Sequence, residues 1–178
     1  MTNLAAVEWI LRDGRRVTVR PVCPEDRDAL QAAIRRLSPE ARYARFMSPL
    51  RELGPDLLQR AVNPDESREL QLVALGGDGN RPAIVGGARY SAAPGQASCE
   101  FAIAILDDWQ GIGLARRLLD LLMATARREG FAAMEGYVLA SNVRMLAVAR
   151  KLGFLLLPGS DDPTVHRVRC ELAAAGRG

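Results

Sequence analysis

The stretch that most limits what this chain can fold into spans residues 99–119, CEFAIAILDDWQGIGLARRLL. Residues 101–106 form an unbroken apolar run, the mark of a strand covered on both faces. Helical spacing begins at Gly113. From there Ala115, Leu118, Leu119, Leu122 and Ala126 fall on one stripe, and Arg116, Arg117, Asp120, Arg127 and Arg128 fall on the other. The turn between, residues 107–113, carries two glycines one residue apart. A turn of this kind lets several backbone N–H groups point into one hollow at a helix N-terminus, where the partial positive charge suits a phosphate or pyrophosphate. The dinucleotide pattern G-x-G-x-x-G fails, because its third glycine falls on Arg116, and no G-x-x-x-x-G-K-[ST] loop is present. On these residues alone an ordinary close-packed strand-to-helix turn stays open.

The rest of the chain supplies a context. After an Asp13-Gly14 turn, residues 16–22 alternate and predict a strand. Pro24 with Glu25, Asp26 and Asp28 opens a predicted helix over 25–37. Ser38 and Pro39 open a second, with Tyr43, Phe46 and Met47 on one face, and residues 55–62 predict a short third. Strands are predicted over 69–75, 83–90 and 99–106, with loops at 76–80 and 93–95 between them. The helix over 113–129 ends at Gly130, a fifth strand covers 131–139, and Ser141 or Asn142 caps a last helix that stops at Gly153. Residues 154–157 and 164–171 predict two closing strands, and 173–178 a disordered tail. This order predicts an α+β chain with a mixed sheet, antiparallel at first, with one parallel step across the Gly113 helix.

Composition narrows the classes. A length of 178 residues, 48% hydrophobic and 25% charged, predicts one globular domain with a real core. The net charge is +3 and Lys151 is the only lysine, but no basic block exceeds two residues. No helix concentrates arginines and aromatics on one face, so no nucleic-acid partner is expected. Three cysteines (Cys23, Cys99 and Cys170) without metal spacing predict a reduced compartment and no metal. No apolar run approaches the ~20 residues of a membrane span, and no signal-peptide pattern opens the chain, so a cytoplasmic location without a membrane partner is expected.

Two local patterns carry a family resemblance. Gln110, Gly113 and Ala115 form Q-x-x-G-x-A directly after the buried strand, and Asn142 stands eleven residues before Gly153-Phe154. Both motifs, on this element order, resemble the GNAT N-acetyltransferase superfamily over residues 16–171. Asp13-Gly14, Arg20-Pro21, Pro24-Glu25-Asp26 and the run LSPEARYARF at 37–46 resemble the N-terminal half of bacterial Pat-type protein-lysine acetyltransferase domains. The resemblance implies a seven-stranded mixed sheet, splayed between the strands at 99–106 and 131–139. It implies acetyl-CoA as cosubstrate, with backbone groups of Ile103, Ala104 and Ile105 meeting its pantetheine. Gln110, Gly111, Ile112, Gly113, Leu114, Ala115 and Arg116 would cradle its pyrophosphate, and Asn142 would contact the coenzyme. The expected partners are acetyl-CoA and an amine acceptor, a protein lysine or a small molecule, with a homodimer left open.

Acyl transfer needs a neutral amine. A lysine of pKa ~10.4 is ~3.4 units from neutral at pH 7, about 4.6 kcal/mol of barrier if unassisted. Glu100 is the expected base: a charge in an apolar strand is costly without a reason, and the small Ala102 and Ala104 share its face. A strand-end salt bridge is the bland alternative. Glu135 is the fallback, although relatives with a base on that strand place it at the position of Tyr137. Many members carry a tyrosine acid four residues before the closing glycine, where this chain has Ala149. Water, Tyr137 or Tyr90 could replace it. Cys99 reads as a buried thiol and His166 as structural. A non-catalytic acyl-CoA sensor is the alternative that Ala149 raises.

Overall fold

The chain begins with two strands, β1 (Val7–Ile10) and β2 (Arg16–Pro21), then passes through three helices, α1 (Arg27–Arg36), α2 (Pro39–Phe46) and α3 (Pro55–Ala61). An antiparallel run follows: β3 (Glu69–Gly76), β4 (Ala83–Ser91) and β5 (Ser98–Ile105). Helix α4 (Leu114–Arg128) crosses to β6 (Ala133–Leu139), and α5 (Val143–Lys151) leads to β7 (Leu155–Leu156) and β8 (Val165–Glu171). The structure is a computed structural model and describes residues 4–77, 82–158 and 162–172. The expected loop at 76–80 lies partly, and the expected tail at 173–178 wholly, outside the described residues.

The strands form one sheet in the order β1-β2-β3-β4-β5-β6-β8-β7, and β5–β6 is its one parallel pair among the described residues. The mixed α+β layout expected from the sequence is present, with β1 added as an eighth strand at the edge. Four residues are too few to display an alternation, and β1 is fixed by pairing with β2 from Val7↔Val19 to Ile10↔Arg16.

Pairing register assigns the two faces of the sheet. Leu70, Tyr90, Phe101 and Gly136 share one face, and Leu118, Leu119 and Leu122 of α4 pack in the same core. Burying such a stripe contributes about 1.5–3 kcal/mol per large side chain. Glu69, Arg89, Glu100, Ala102 and Glu135 belong to register rows of the opposite face, where Ala33 of α1 packs on Val73.

Parallel pairing of β5 with β6 stops at Phe101↔Gly136. Residues 102–105 continue beside β4 alone, and residues 137–139 beside β8 alone, so the sheet opens into a V. At this last pair the two strands pack closely. A Cβ on Gly136 would lie 2.3 Å from Cε1 of Phe101, and that ring is held edge-on to Phe154 with centroids 5.2 Å apart.

Candidate active site

A cavity of about 620 Å³ fills the V. Glu100, Ile103, Ala104 and Ile105 line it from β5, and Gln110, Gly111, Gly113, Ala115 and Arg116 from the turn and α4. Asn142 lines it from the start of α5, while its Oδ1 accepts the Met145 N–H at 3.1 Å to cap that helix. Two of the singled-out residues stand apart. Leu114 is 1% exposed in the core, and Ile112 offers its carbonyl to the Arg12 N–H at 3.2 Å. Only backbone groups of these two are in a position to serve a ligand.

The turn leaves a set of backbone donors open. Gly111 (φ 77°) and Gly113 (φ 96°) both take left-handed conformations that side chains resist. A Cβ on Gly111 would meet nothing within 4 Å, so its requirement is conformational. Among the described residues, no backbone carbonyl accepts from the amides of residues 111–116, the usual orphan donors of a helix start. The turn is braced from outside. Gln110 Nε2 donates to the Ile105 carbonyl (3.0 Å) and to Asp107 (3.3 Å), and Asp107 accepts from both the amide and hydroxyl of Ser38 at the start of α2. Arg15 donates to the Asp108 carbonyl at 2.7 Å and stacks 4.1 Å over Trp109.

Strand parity decides which β5 backbone groups face the V. Leu106 N–H bonds to the Val85 carbonyl at 2.9 Å, so Ala104 and Ala102 alternate with it as the residues bonded to β4. The backbone groups of Ile103 and Ile105 therefore point the other way, where β6 has already diverged. Of the three residues expected to meet pantetheine through their backbones, Ala104 has its amide turned toward β4 and contributes its small side chain.

A second, polar cavity of about 390 Å³ lies against the first, lined by Glu69, Ser91, Glu135, Arg167 and others. Glu100 and Tyr137 line both cavities. Glu100 is exposed, so the cost of a buried charge is not what marks it. Its distinction is position, and among the described residues its carboxylate has no hydrogen-bond or ion-pair partner. Glu135 is differently placed. Arg167 and Arg169 both donate to it, and although burial works to raise its pKa, these bonds hold it below the ordinary carboxylate range. A carboxylate so engaged is a poor proton acceptor. Glu69 lies 3.7 Å from Arg89.

Of the two tyrosines considered as acids, Tyr90 is 2% exposed against Phe131 and lines neither cavity. Tyr137 is 48% exposed at their junction. Ala149 is buried, and α5 presents Met145, Val148 and Lys151 to the cavity instead. Burial pushes the Cys99 thiol up to about 12, and its Sγ lies 3.8 Å from the Ala133 carbonyl, a structural thiol. His166 sits across from Val138 in the β6–β8 ladder.

Sequence reasoning missed Arg12, Arg45, Phe46, Met47 and Lys151, all of which line the main cavity. Arg45 lies in the α2 stretch whose apolar spacing drew attention to its neighbours, and a lone arginine there reads as solvated. Met47 ends α2 with φ 49°, a strained conformation for a non-glycine that local sequence does not announce. No helix of the described residues is long and apolar enough to cross a membrane, and no group of His, Cys, Asp and Glu among them could hold a metal ion.

The family model described as "Acetyltransferase (GNAT) domain" matches residues 16–155. An acetyltransferase of Pseudomonas aeruginosa is 38% identical over 171 residues, covering 92% of each chain. The crystal structure of the GNAT domain of S. lividans PAT is 27% identical, with a TM-score of 0.83 over 94% of this chain and 97% of that one. A Salmonella typhimurium protein solved with its cofactor acetyl-CoA shares the fold at 18% identity, with a TM-score of 0.70 over 88% and 94% of the two chains. A strand-turn-helix unit at the mouth of a splayed sheet is thus joined to a sequence match along most of the chain, and the chain belongs to the GNAT family of acetyl-CoA-dependent N-acetyltransferases.

Proposed function

We propose that this chain transfers an acetyl group from acetyl-CoA to a primary amine by direct attack, with Glu100 as the base. The observation that carries the reading is the position of Glu100 and Tyr137, which line both the cavity in the V and the polar cavity beside it. The first cavity fits the coenzyme: free amides and two left-handed glycines at one end suit a diphosphate, and the unpaired edge of β5 suits amides of a pantetheine arm. Acetyl-CoA supplies an activated thioester. Glu100 accepts the proton that the amine loses on attack, directly or through one water. The Ile105 N–H, turned into the V, donates to the acetyl carbonyl oxygen as negative charge develops there. Tyr137 is the side chain placed to return a proton to the departing sulfur.

The acceptor is a protein lysine on our first reading. Resemblance of the N-terminal half to Pat-type domains supports it, as does an outer cavity open to solvent and carrying three carboxylates, Glu69, Glu100 and Glu135. A small amine is the second reading, and Arg45 is the observation that favours it.

Glu100→Gln tests the mechanism. Acyl transfer should fall by about 10²–10⁴-fold, while coenzyme A affinity measured by calorimetry stays at the wild-type value. Undiminished turnover removes Glu100 from the reaction.

A further inference from the structure

Arg45 lines the main cavity and, among the described residues, has no acidic partner. Helix α2 runs opposite to β5. Its start is tied through Ser38 to Asp107, just past the far end of that strand, and the helix packs along it. Seven residues further, at 1.5 Å each, Arg45 stands ~10 Å from that point, toward Glu100. It therefore lies away from the turn that suits a diphosphate. Its side chain is half-buried and lines both the main cavity and a small cleft under α1.

Among the described residues, nothing accepts a hydrogen bond from this guanidinium and no carboxylate pairs with it. Its contact is the Phe46 ring, 4.7 Å from the centroid. Burial pushes its pKa down to about 10, with Arg89 adding to the fall and Glu100 opposing it. A half-buried charge without a counter-charge carries part of the cost of desolvation, and its donors stay open to a ligand. The neighbouring arginines differ: Arg89 has Glu69, and Arg167 and Arg169 have Glu135. Those pairs made, Glu100 and Arg45 are, among the described residues, a carboxylate and a guanidinium of the main cavity that hold no ion pair. Arg45 feels the charge of Glu100, yet no ion pair joins them.

We infer that Arg45 receives a carboxylate that the acceptor carries close to its reacting amine, so that the acceptor presents both charges of an amino acid to Glu100 and Arg45. This rests on the reading that the amine meets Glu100. The carboxylate could belong to a free amino acid or to an acidic residue beside a peptide lysine. A planar guanidinium fork suits it in both cases.

The test measures kcat/KM with acetyl-CoA for two matched pairs: an α-amino acid against its amide, and a peptide Lys-Glu against Lys-Gln. Wild-type protein should favour the carboxylate member of at least one pair by about tenfold or more. In Arg45→Met that ratio should fall to near one, and in Arg45→Lys it should be partly kept. Preference in the first pair names a small zwitterion, and preference confined to the second names a lysine beside an acid. Thermal melting gives an independent readout: Arg45→Met should melt no lower than wild type, because no hydrogen bond or ion pair of the protein is lost and the methionine still covers the Phe46 ring. A wild-type ratio near one in both pairs, a ratio that survives in Arg45→Met, or a melting point several degrees lower overturns the inference. So does discrimination that appears between succinyl-CoA and acetyl-CoA instead, which moves the carboxylate to the donor. No turnover with any amine overturns the acceptor reading itself, whereas turnover without preference overturns this inference alone.

Discussion

Phe101 fills the last point at which the two halves of the sheet are paired. Its ring occupies the space that a side chain at Gly136 would need, with Cε1 2.3 Å from the position of a Cβ. Phe154, 2% exposed and edge-on to the ring, blocks retreat. Gly136→Ala should therefore force backbone movement at the apex of the V and destabilise the fold by about 1–3 kcal/mol, read by urea denaturation. If the clash is the cause, adding Phe101→Leu should recover part of that loss. A double variant no better than the sum of its parts would place the strain elsewhere. Such a contact is invisible in the sequence, since Phe101 and Gly136 lie 35 positions apart: a glycine inside a strand signals a close approach but does not name what approaches. Glu100 was legible for an imperfect reason. Its apolar neighbours made it conspicuous, but the residue is exposed and marked instead by the two cavities it borders.

At the scale of elements, the helix starts were legible because their signals are local. Pro24, Ser38-Pro39 and Asn142 each stand where a helix opens, and Ser38 and Asn142 accept the expected amides. The non-local partners of the same residues were not legible. Asp26 lies under Arg20 of β2 in a two-pronged ion pair (2.7 and 2.8 Å) and also accepts the Cys23 amide at 2.9 Å. The Arg20 bonds dominate, and the Asp26 pKa is lowered from 3.8 to about 2. With the folded value depressed, the pair contributes fully above about pH 4, and its contribution fades as pH falls toward 2. Linkage puts it at about 2 kcal/mol. Asp26→Asn should lose that amount at pH 7, and its unfolding free energy should fall less steeply than that of wild type between pH 4 and pH 2. Parallel pH curves would mean that Asp26 stays ionised no more readily when folded. The β1–β2 hairpin escaped the sequence because β1 is so short, yet it places Arg12 against the anion turn, with Nε 3.5 Å from where a Gly113 Cβ would be. Arg12→Ala should weaken coenzyme A binding by about tenfold, but leave the KM for acetyl-pantetheine, which lacks the diphosphate, unchanged. Equal losses for both would assign Arg12 to the shape of the hairpin.

At the scale of the whole molecule, the cavity is bounded by pieces from distant parts of the chain. The β1–β2 hairpin supplies Arg12, α2 supplies Arg45 and Met47, β5 and the turn supply one wall, and β6 and α5 supply Tyr137 and Asn142. Strand pairing does not join the two walls beyond Phe101↔Gly136. A coenzyme seated in the V would bridge the antiparallel part of the sheet to the β6–β8 part and do what the missing hydrogen bonds do not. Binding to the folded state alone stabilises by RT ln(1 + [L]/Kd), about 2.7 kcal/mol at a hundredfold excess over Kd. For a chain of 178 residues that should raise Tm by roughly 5–10 °C. The location of the effect is the sharper expectation. Amide hydrogen exchange should slow at Ile103 and Ile105, across residues 111–116 and through the first turn of α5, while the β2–β3 ladder, already paired from Val17↔Gly76 to Pro21↔Leu72, stays as it was. Protection spread evenly over the chain, or centred away from residues 102–116, would mean that the ligand lies outside the V and that the opening of the sheet serves another purpose.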